Sequence, residues 1–206
     1  MRHFKLQALI LIVLSLFLVQ KAWAVEPRQA LESGLNQVLE LIKSPDYANL
    51  ATREAQQAKI AVVVKQNFDF GEFSSRTVGP KWRQFTPKQQ KDFSEAFGDL
   101  LINTYVKKID GYNGEKIAYV SERSGKDRTE ILTTVTMKDG KKIPVAYRML
   151  PKNNTWKVYD VLIENISLVK NYRSQFQDIL NSSTPDQLIE RIKKKAIEAK
   201  TNHGKS

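Results

Sequence analysis

Residues 128–148 read RTEILTTVTMKDGKKIPVAYR, and this stretch decides the fold. Two alternating runs flank Lys138-Asp139-Gly140, which is typical of a three-residue hairpin loop with its glycine in the left-handed conformation. A two-residue loop would place Ile131 opposite Arg148, so the three-residue loop is favoured. The favoured register predicts four cross-strand pairs: Val135 with Ile143, Thr133 with Val145, Ile131 with Tyr147, and Glu130 with Arg148.

The strand pattern continues on both sides of this hairpin, at residues 115–123 and 155–164. Both segments alternate or contain runs of β-branched residues, and turn residues separate them from their neighbours. The register of the last strand is not fixed by its sequence. Pro144 has no N–H to donate to a neighbouring strand, which predicts a sheet edge or a bulge at that position.

Helical periodicity precedes and follows the strands. The predicted helices cover residues 27–43, 46–66, 72–78, 87–109 and 167–180, with a last one from 185, and the second is expected to break near 61–64. Thr86 and Thr184 each begin a Thr-Pro-x-Gln sequence, which predicts a capping box at the start of two helices. Helices that enclose one antiparallel sheet define the α+β class.

Composition excludes several kinds of chemistry. The chain has 206 residues, a formal net charge of +11, 41% hydrophobic residues and no cysteine. Without cysteine there are no disulfides, thiolate nucleophiles or iron–sulfur ligands. The two histidines, His3 and His203, lie near the termini, so neither a histidine triad nor a multi-histidine metal site is expected. This composition favours a one-domain binding protein without cofactor or metal over a hydrolase.

The first 24 residues have the features of a Sec-type signal peptide. Arg2 and Lys5 form a positive start, residues 6–19 are apolar apart from two positions, and Ala22-Trp23-Ala24 is a cleavage site. The alternative is an uncleaved anchor, but Lys21 ends the apolar stretch before the roughly 20 residues that span a bilayer. We expect cleavage before Val25 and export to a bacterial periplasm.

The excess positive charge of an exported protein limits the kinds of molecule that it would bind. A basic protein outside the cytosol has no routine nucleic-acid partner, so we expect its charge to meet anionic lipid headgroups or acidic protein surfaces. Arg173 and the run 193–195 are candidates for such contacts. A simple solubilising role for these charges is an equal alternative.

Two carboxylate groupings are candidates for acid–base chemistry, Asp69 with Glu72 and Asp160 with Glu164. Asp160 and Glu164 are four residues apart on a predicted strand, about 13 Å by strand rise, which is too far for a coupled pair. Asp69 and Glu72 flank a glycine, and we interpret them as helix caps and salt-bridge partners. Asp160 beside Tyr147 or Tyr159 could act as the general base of a small enzyme on a cone-shaped sheet. No nucleophile, metal set or cofactor loop accompanies Asp160 in the sequence, so this remains the alternative from a different class, and no catalytic residue is assigned.

Several segments together resemble one protein family. They are FDFGEF at 68–73, RTVG at 76–79, WKVYDV at 156–161, ENISLV at 164–169 and NYRSQF at 171–176. In order and spacing this looks like the MlaC, or toluene-tolerance, family of periplasmic phospholipid-binding proteins, over about residues 29–195. Asn165 departs from the pattern, since glycine is expected before Ser167.

The resemblance implies a fold and a function. It implies a curved, nuclear-transport-factor-like antiparallel sheet packed with N- and C-terminal helices around an apolar pocket, in a domain covering residues 25–200 with a flexible tail at 201–206. It implies a monomeric carrier of phospholipid between an outer-membrane lipoprotein complex and an inner-membrane ABC transporter, which maintains outer-membrane lipid asymmetry. Hopanoid transport by a sister branch is an alternative, as is an adaptor with a solid core.

The candidate lipid-binding residues are apolar or aromatic and come from the strands and the adjoining helices. A charged group at the floor of such a pocket would incur a large desolvation cost, which is why none is included. The predicted lining consists of Leu101, Tyr105, Ile131, Thr133, Val135, Val145, Tyr147, Val161, Ile163, Tyr172 and Phe176.

Overall fold

An open antiparallel sheet lies at the centre of the structure, a computed structural model that describes residues 25–109, 112 and 114–201. The predicted signal peptide and residues 202–206 of the predicted tail lie outside the described residues. The strands follow one another in chain order across the sheet, each antiparallel to the next. They are β1 (Lys116–Ser124), β2 (Thr129–Thr136), β3 (Lys142–Lys152), β4 (Thr155–Ile163) and β5 (Ile166–Ser167).

The β2–β3 hairpin confirms the predicted register. All four predicted pairs, from Val135 opposite Ile143 to Glu130 opposite Arg148, are present. Gly140 has a φ of 85°, as the three-residue loop requires, and its N–H donates to the carbonyl of Met137. The loop length therefore determined which residues share a face of the sheet.

The prediction for Pro144 was wrong. Its strand, β3, is paired on both sides, and the bulges lie elsewhere, between Tyr119 and Ser121 and between Arg148 and Met149. The Pro144 carbonyl accepts the N–H of Glu164, the first residue after β4. The missing N–H of Pro144 therefore faces the point where β4 ends, so an interior strand tolerates the proline without losing a bond to the ladder.

Helices flank the sheet in sequence on both sides. In the described part of the chain they are α1 (Pro27–Lys43), α2 (Pro45–Ala48), α3 (Leu50–Asn67), α4 (Phe70–Val78), α5 (Pro87–Ile109), α6 (Leu168–Leu180) and α7 (Pro185–Thr201), with a 3₁₀ turn at Gly79–Gln84. This arrangement confirms the α+β class. No described helix is long and apolar enough to cross a membrane.

The predicted break at 61–64 was wrong, because α3 is continuous through it. The interruption lies earlier, at Asn49, whose side chain accepts the N–H of Ala51 at 3.0 Å and caps α3. Ile60 is fully buried in a cluster with Tyr47 and with Ile102 of α5. Tertiary packing thus overrides the weak helix propensity of the valine run that follows.

Both predicted capping boxes are present. The Thr86 N–H donates to Gln89 Oε1 at 2.9 Å and the Gln89 N–H donates to Thr86 Oγ1 at 3.2 Å. Thr184 and Gln187 repeat the arrangement at 2.9 and 3.3 Å. These local signals define the starts of α5 and α7, which pack against each other, with Asn103 donating to the carbonyl of Ala196 at 3.0 Å.

The turn between β4 and β5 explains the departure at Asn165. Glu164 and Asn165 have φ values of 50° and 68°, so both residues of this two-residue hairpin are left-handed. Glycine adopts that conformation freely, and asparagine is among the few other residues that do so readily. Asn165 therefore adopts the left-handed conformation for which glycine is expected.

Candidate functional site

Seven of the predicted lining residues share one face of the sheet. Across β2, β3 and β4, Ile131 is opposite Tyr147 and Tyr147 is opposite Val161, while Thr133, Val145 and Ile163 form the next row. Val135 begins a third row, opposite Ile143. Because side chains alternate along strands, this register places all seven on the same side. We call this surface the apolar face: Ile131, Thr133, Val135, Val145, Tyr147, Val161 and Ile163.

The apolar face is only partly covered. Ile131, Thr133 and Val161 are buried, whereas Val135, Val145, Tyr147 and Ile163 are half-buried. Half-buried aliphatic and aromatic side chains in adjacent rows form a concentrated apolar surface that a ligand could cover, as in the clefts that bind small molecules.

The polar groups of the apolar face are already engaged. Thr133 Oγ1 donates to the carbonyl of Val145 at 2.9 Å. Burial raises the pKa of the Tyr147 hydroxyl well above its ordinary value. A hydrogen bond with Thr133 lowers this pKa, but by less than burial raises it. At neutral pH both hydroxyls are uncharged, so the face presents no charge to a bound molecule.

Helix α1 packs against the apolar face, a contribution that was not predicted from the sequence. Leu31 is buried in the same cluster as Ile131, and Ala30 and Leu35 pack against it. The Arg28 guanidinium lies 5.0 Å from the ring centre of Tyr119 on β1. Leu31 and Leu35 have the spacing of apolar residues on one side of a helix, but periodicity alone does not say which surface a helix covers.

The remaining four predicted lining residues are Leu101, Tyr105, Tyr172 and Phe176. They belong to a second cluster, formed by helices, which we call the helical cluster. Leu101 is buried, and Tyr105 packs beside it. The rings of Tyr172 and Phe176 lie 4.9 and 5.0 Å from that of Phe97 on α5. Burial raises the pKa of Tyr172 to about 12, helped by Tyr105. The structure therefore divides the predicted lining into a sheet part and a helical part.

Leu168, the first residue of α6, connects the two parts. It packs against both the helical cluster and the cluster on the apolar face. Helix α6 also carries Tyr172 and Phe176, so its position controls how the helical cluster meets the sheet. The residues that hold α6 in place therefore belong to the description of the site.

Asp160 holds the N-terminus of α6. Its carboxylate is buried and accepts three hydrogen bonds: from Ser167 Oγ at 2.7 Å, from the Val169 N–H at 3.1 Å and from Arg148 Nη1 at 3.3 Å. Arg148 also donates to Glu130 at 2.8 Å. A carboxylate at a helix N-terminus is favourably placed against the free N–H groups and the helix dipole.

This geometry does not support Asp160 as a general base. Asp160 is opposite Arg148, whereas the adjacent Val161 is opposite Tyr147, so Asp160 and Tyr147 lie on opposite faces of the sheet. The Tyr159 ring is covered by the Arg76 guanidinium at 4.3 Å. A base must reach its substrate proton with a free lone pair, and here the carboxylate oxygens accept structural donors.

The carboxylates of Asp69 and Glu72 are also structural. Asp69 Oδ1 accepts the N–H of Glu72 at 3.1 Å and so caps α4, and Asp69 Oδ2 accepts Lys152 Nζ at 2.6 Å. Glu72 pairs with Arg76 one helical turn later. This confirms the interpretation as a cap with salt bridges. Within the described ranges, no cluster of three metal-ligating side chains occurs.

The fold and the apolar face together define a class of protein: an open α+β domain with a partly covered apolar sheet face and buried structural carboxylates. The family model described as MlaC protein matches residues 32–194. The chain belongs to the MlaC family.

Individual relatives agree with this assignment. The chain is 25% identical over 127 residues to the intermembrane phospholipid transport system binding protein MlaC of Haemophilus influenzae, covering 59% of each chain. It is 30% identical over 106 residues to toluene tolerance protein ttg2D of Pseudomonas putida, covering 50% of this chain and 49% of the relative. The matches thus span between about half and three-fifths of these relatives.

A solved structure shares the fold. The phospholipid-binding protein from Ralstonia solanacearum, solved in complex with a phospholipid, superposes with a TM-score of 0.73 at 25% sequence identity. The superposition covers 85% of this chain and 99% of that one.

Proposed function

We propose that this protein carries phospholipid across the periplasm, with acyl chains held against the apolar face. The observation that supports this most is the face itself: three rows of uncharged side chains, three of them buried and four half-buried, with Leu31 of α1 and Leu168 of α6 packed in the same cluster. Membership of the MlaC family and the phospholipid held by the Ralstonia solanacearum protein point to the same ligand.

The energetics of acyl chains suit a carrier. Burial of two chains of about 15 methylenes each is worth roughly 20–25 kcal/mol before ordering costs, at about 0.8 kcal/mol per methylene. Spontaneous release into water would therefore be very slow. Transfer then requires a docked partner that lets the chains move directly into another apolar environment, and no covalent step.

The remainder of the proposal concerns location and partners. The leader at residues 1–24 would direct export and be removed before Val25, leaving the mature chain in the periplasm. There it would exchange lipid, as a monomer, with an Mla-type ABC transporter complex of the inner membrane and a lipoprotein complex of the outer membrane. The Haemophilus influenzae relative, which is named for an intermembrane phospholipid transport system, supports this assignment.

Loading from vesicles tests the proposal. The delipidated protein is mixed with vesicles of phosphatidylethanolamine and phosphatidylglycerol that contain a fluorescent phospholipid, and then separated and assayed. Val145→Trp places an indole in the middle of the apolar face, so we expect loading to fall at least about tenfold, because the added ring occupies the space of a chain.

The matched control is Val120→Trp. Val120 is 57% exposed at the bulge of β1, away from the rows of the apolar face, and this variant should load as well as the unsubstituted protein. A protein that takes no phospholipid from vesicles would refute the carrier proposal. Normal loading by folded Val145→Trp would refute the location on the apolar face.

A further inference from the structure

A second apolar depression lies between α6 and α7, with α5 as its floor. Its volume is about 290 Å³. Leu100, Phe176, Leu188 and Ile192 are buried at its base, and Tyr172 and Ile179 are half-buried on its wall. We call this depression the α6–α7 groove.

The volume of the groove suits a single hydrocarbon chain. An apolar cavity of about 150 Å³ holds one benzene ring, so this one accommodates roughly a dozen carbon atoms. A phospholipid brings two chains of about 15 methylenes each, which exceeds that volume more than twofold. The groove therefore accommodates most of one such chain but not two, and so fits a ligand with a single chain.

The rim of the groove is cationic on the α7 side. Arg191, Lys194 and Lys195 are exposed there, with Glu198 as the single acidic side chain among the lining residues. The neighbouring Lys193 is not part of the lining, and its Nζ donates to Glu190 at 2.8 Å. Three cations against one carboxylate make the rim attractive to an anionic head group.

The groove is separate from the apolar face. The buried floor of the groove belongs to the cluster that is formed by helices. Ile131, Val161 and their neighbours on the apolar face instead pack in a different cluster, together with Leu31 of α1. None of the seven residues of the apolar face lines the groove.

We propose that the α6–α7 groove is a second ligand site, which binds a single-chain anionic amphiphile with its chain on the apolar floor and its head group against Arg191, Lys194 and Lys195. This goes beyond the proposed phospholipid function and does not depend on it. A free fatty acid and an anionic lysophospholipid share this chemistry.

Calorimetry on the delipidated full chain tests the proposal with three probes: palmitate, palmitoyl lysophosphatidylglycerol and the uncharged detergent dodecyl maltoside. We expect the anionic probes to bind. The double variant Lys194→Gln with Lys195→Gln should weaken binding of the anionic probes about fivefold, which is the effect of losing two exposed charge pairs. It should not change any binding of the uncharged detergent. Lys193→Gln, a matched lysine off the groove, should change nothing. The relative affinities of palmitate and the lysophospholipid identify which head group the rim prefers.

A second variant tests the chain position. Gln175 is exposed at the groove, and its side chain donates to the Asn171 carbonyl on its own helix at 3.3 Å, so Gln175→Trp can fill the groove with little cost to folding. We expect it to abolish palmitate binding and leave phospholipid loading intact, with Val145→Trp giving the reverse. The proposal is overturned if the unsubstituted protein binds neither anionic probe, if Gln175→Trp binds them normally, or if Val145→Trp abolishes both ligands together.

Discussion

Removal of the Asp160 carboxylate should loosen α6 and destabilise the fold. Asp160→Asn keeps the shape of the side chain but removes its charge, and one of its two oxygens becomes an N–H₂ group that cannot accept a hydrogen bond. Of the three donors on this carboxylate, the Val169 N–H and Arg148 cannot reverse their roles, whereas the Ser167 hydroxyl can.

The expected magnitude follows from these contacts. Loss of one buried hydrogen bond partner costs about 1–3 kcal/mol, so Asp160→Asn should lower the free energy of unfolding by about 2 kcal/mol. Asp160→Ala abandons all three donors and should cost about 3–5 kcal/mol, the range for breaking a buried pair. The lower half of that range is expected, because the Arg148 side chain is 33% exposed and keeps Glu130 as a partner.

Urea unfolding followed by circular dichroism measures these changes. With a slope of about 2 kcal/mol per molar urea, Asp160→Asn should move the midpoint down by about 1 M. Asp99→Asn is the matched control, because Asp99 forms an exposed ion pair with Lys65 and should cost less than about 1 kcal/mol. If Asp160→Asn leaves the midpoint within error of the unsubstituted protein, the anchoring role of Asp160 is refuted.

Two further predictions concern the helical cluster. The free energy of unfolding should fall as the pH rises from 10 to 12, because Tyr172 loses its proton near pH 10 in the unfolded chain, whereas its pKa in the folded chain is about 12. The urea midpoint should therefore drop between pH 9 and pH 11, and it should drop less in Tyr172→Phe than in the unsubstituted protein. An equal drop in both proteins would contradict this. Phe97→Ala removes a fully buried ring that contacts the rings of four others: Phe73, Phe93, Tyr172 and Phe176. Thermal or urea unfolding should show that the free energy of unfolding falls by about 3–5 kcal/mol. A fall of less than about 1 kcal/mol would mean that the cluster repacks freely.

Local signals predicted the parts of the fold that depend on short stretches of chain. The Lys138-Asp139-Gly140 loop sets the β2–β3 register, and that register places Val145 and Tyr147 of β3 on the same face as Thr133 and Ile131 of β2. The capping boxes at Thr86 and Thr184 likewise require only neighbouring residues. These features could be predicted because their causes lie within a few residues.

The parts that escaped prediction depend on contacts distant in sequence. The valine run in α3 remains helical because Ile60 packs against α5, which no local propensity reveals. The register of β4 depends on a bulge beside Arg148. Tertiary packing places Leu31 of α1 against the apolar face and leaves a groove between α6 and α7. The periodicity of a sequence predicts neither feature.

The location of acyl chains can be measured directly by photocrosslinking. The protein is loaded from vesicles with a phospholipid that carries a diazirine at the end of one acyl chain, irradiated, digested and analysed by mass spectrometry. The account predicts crosslinks on β2 and β3 peptides at Val135, Val145 or Tyr147. Crosslinks confined to the opposite face of the sheet, around Leu132 and Arg148, or to the α6–α7 groove, would contradict it.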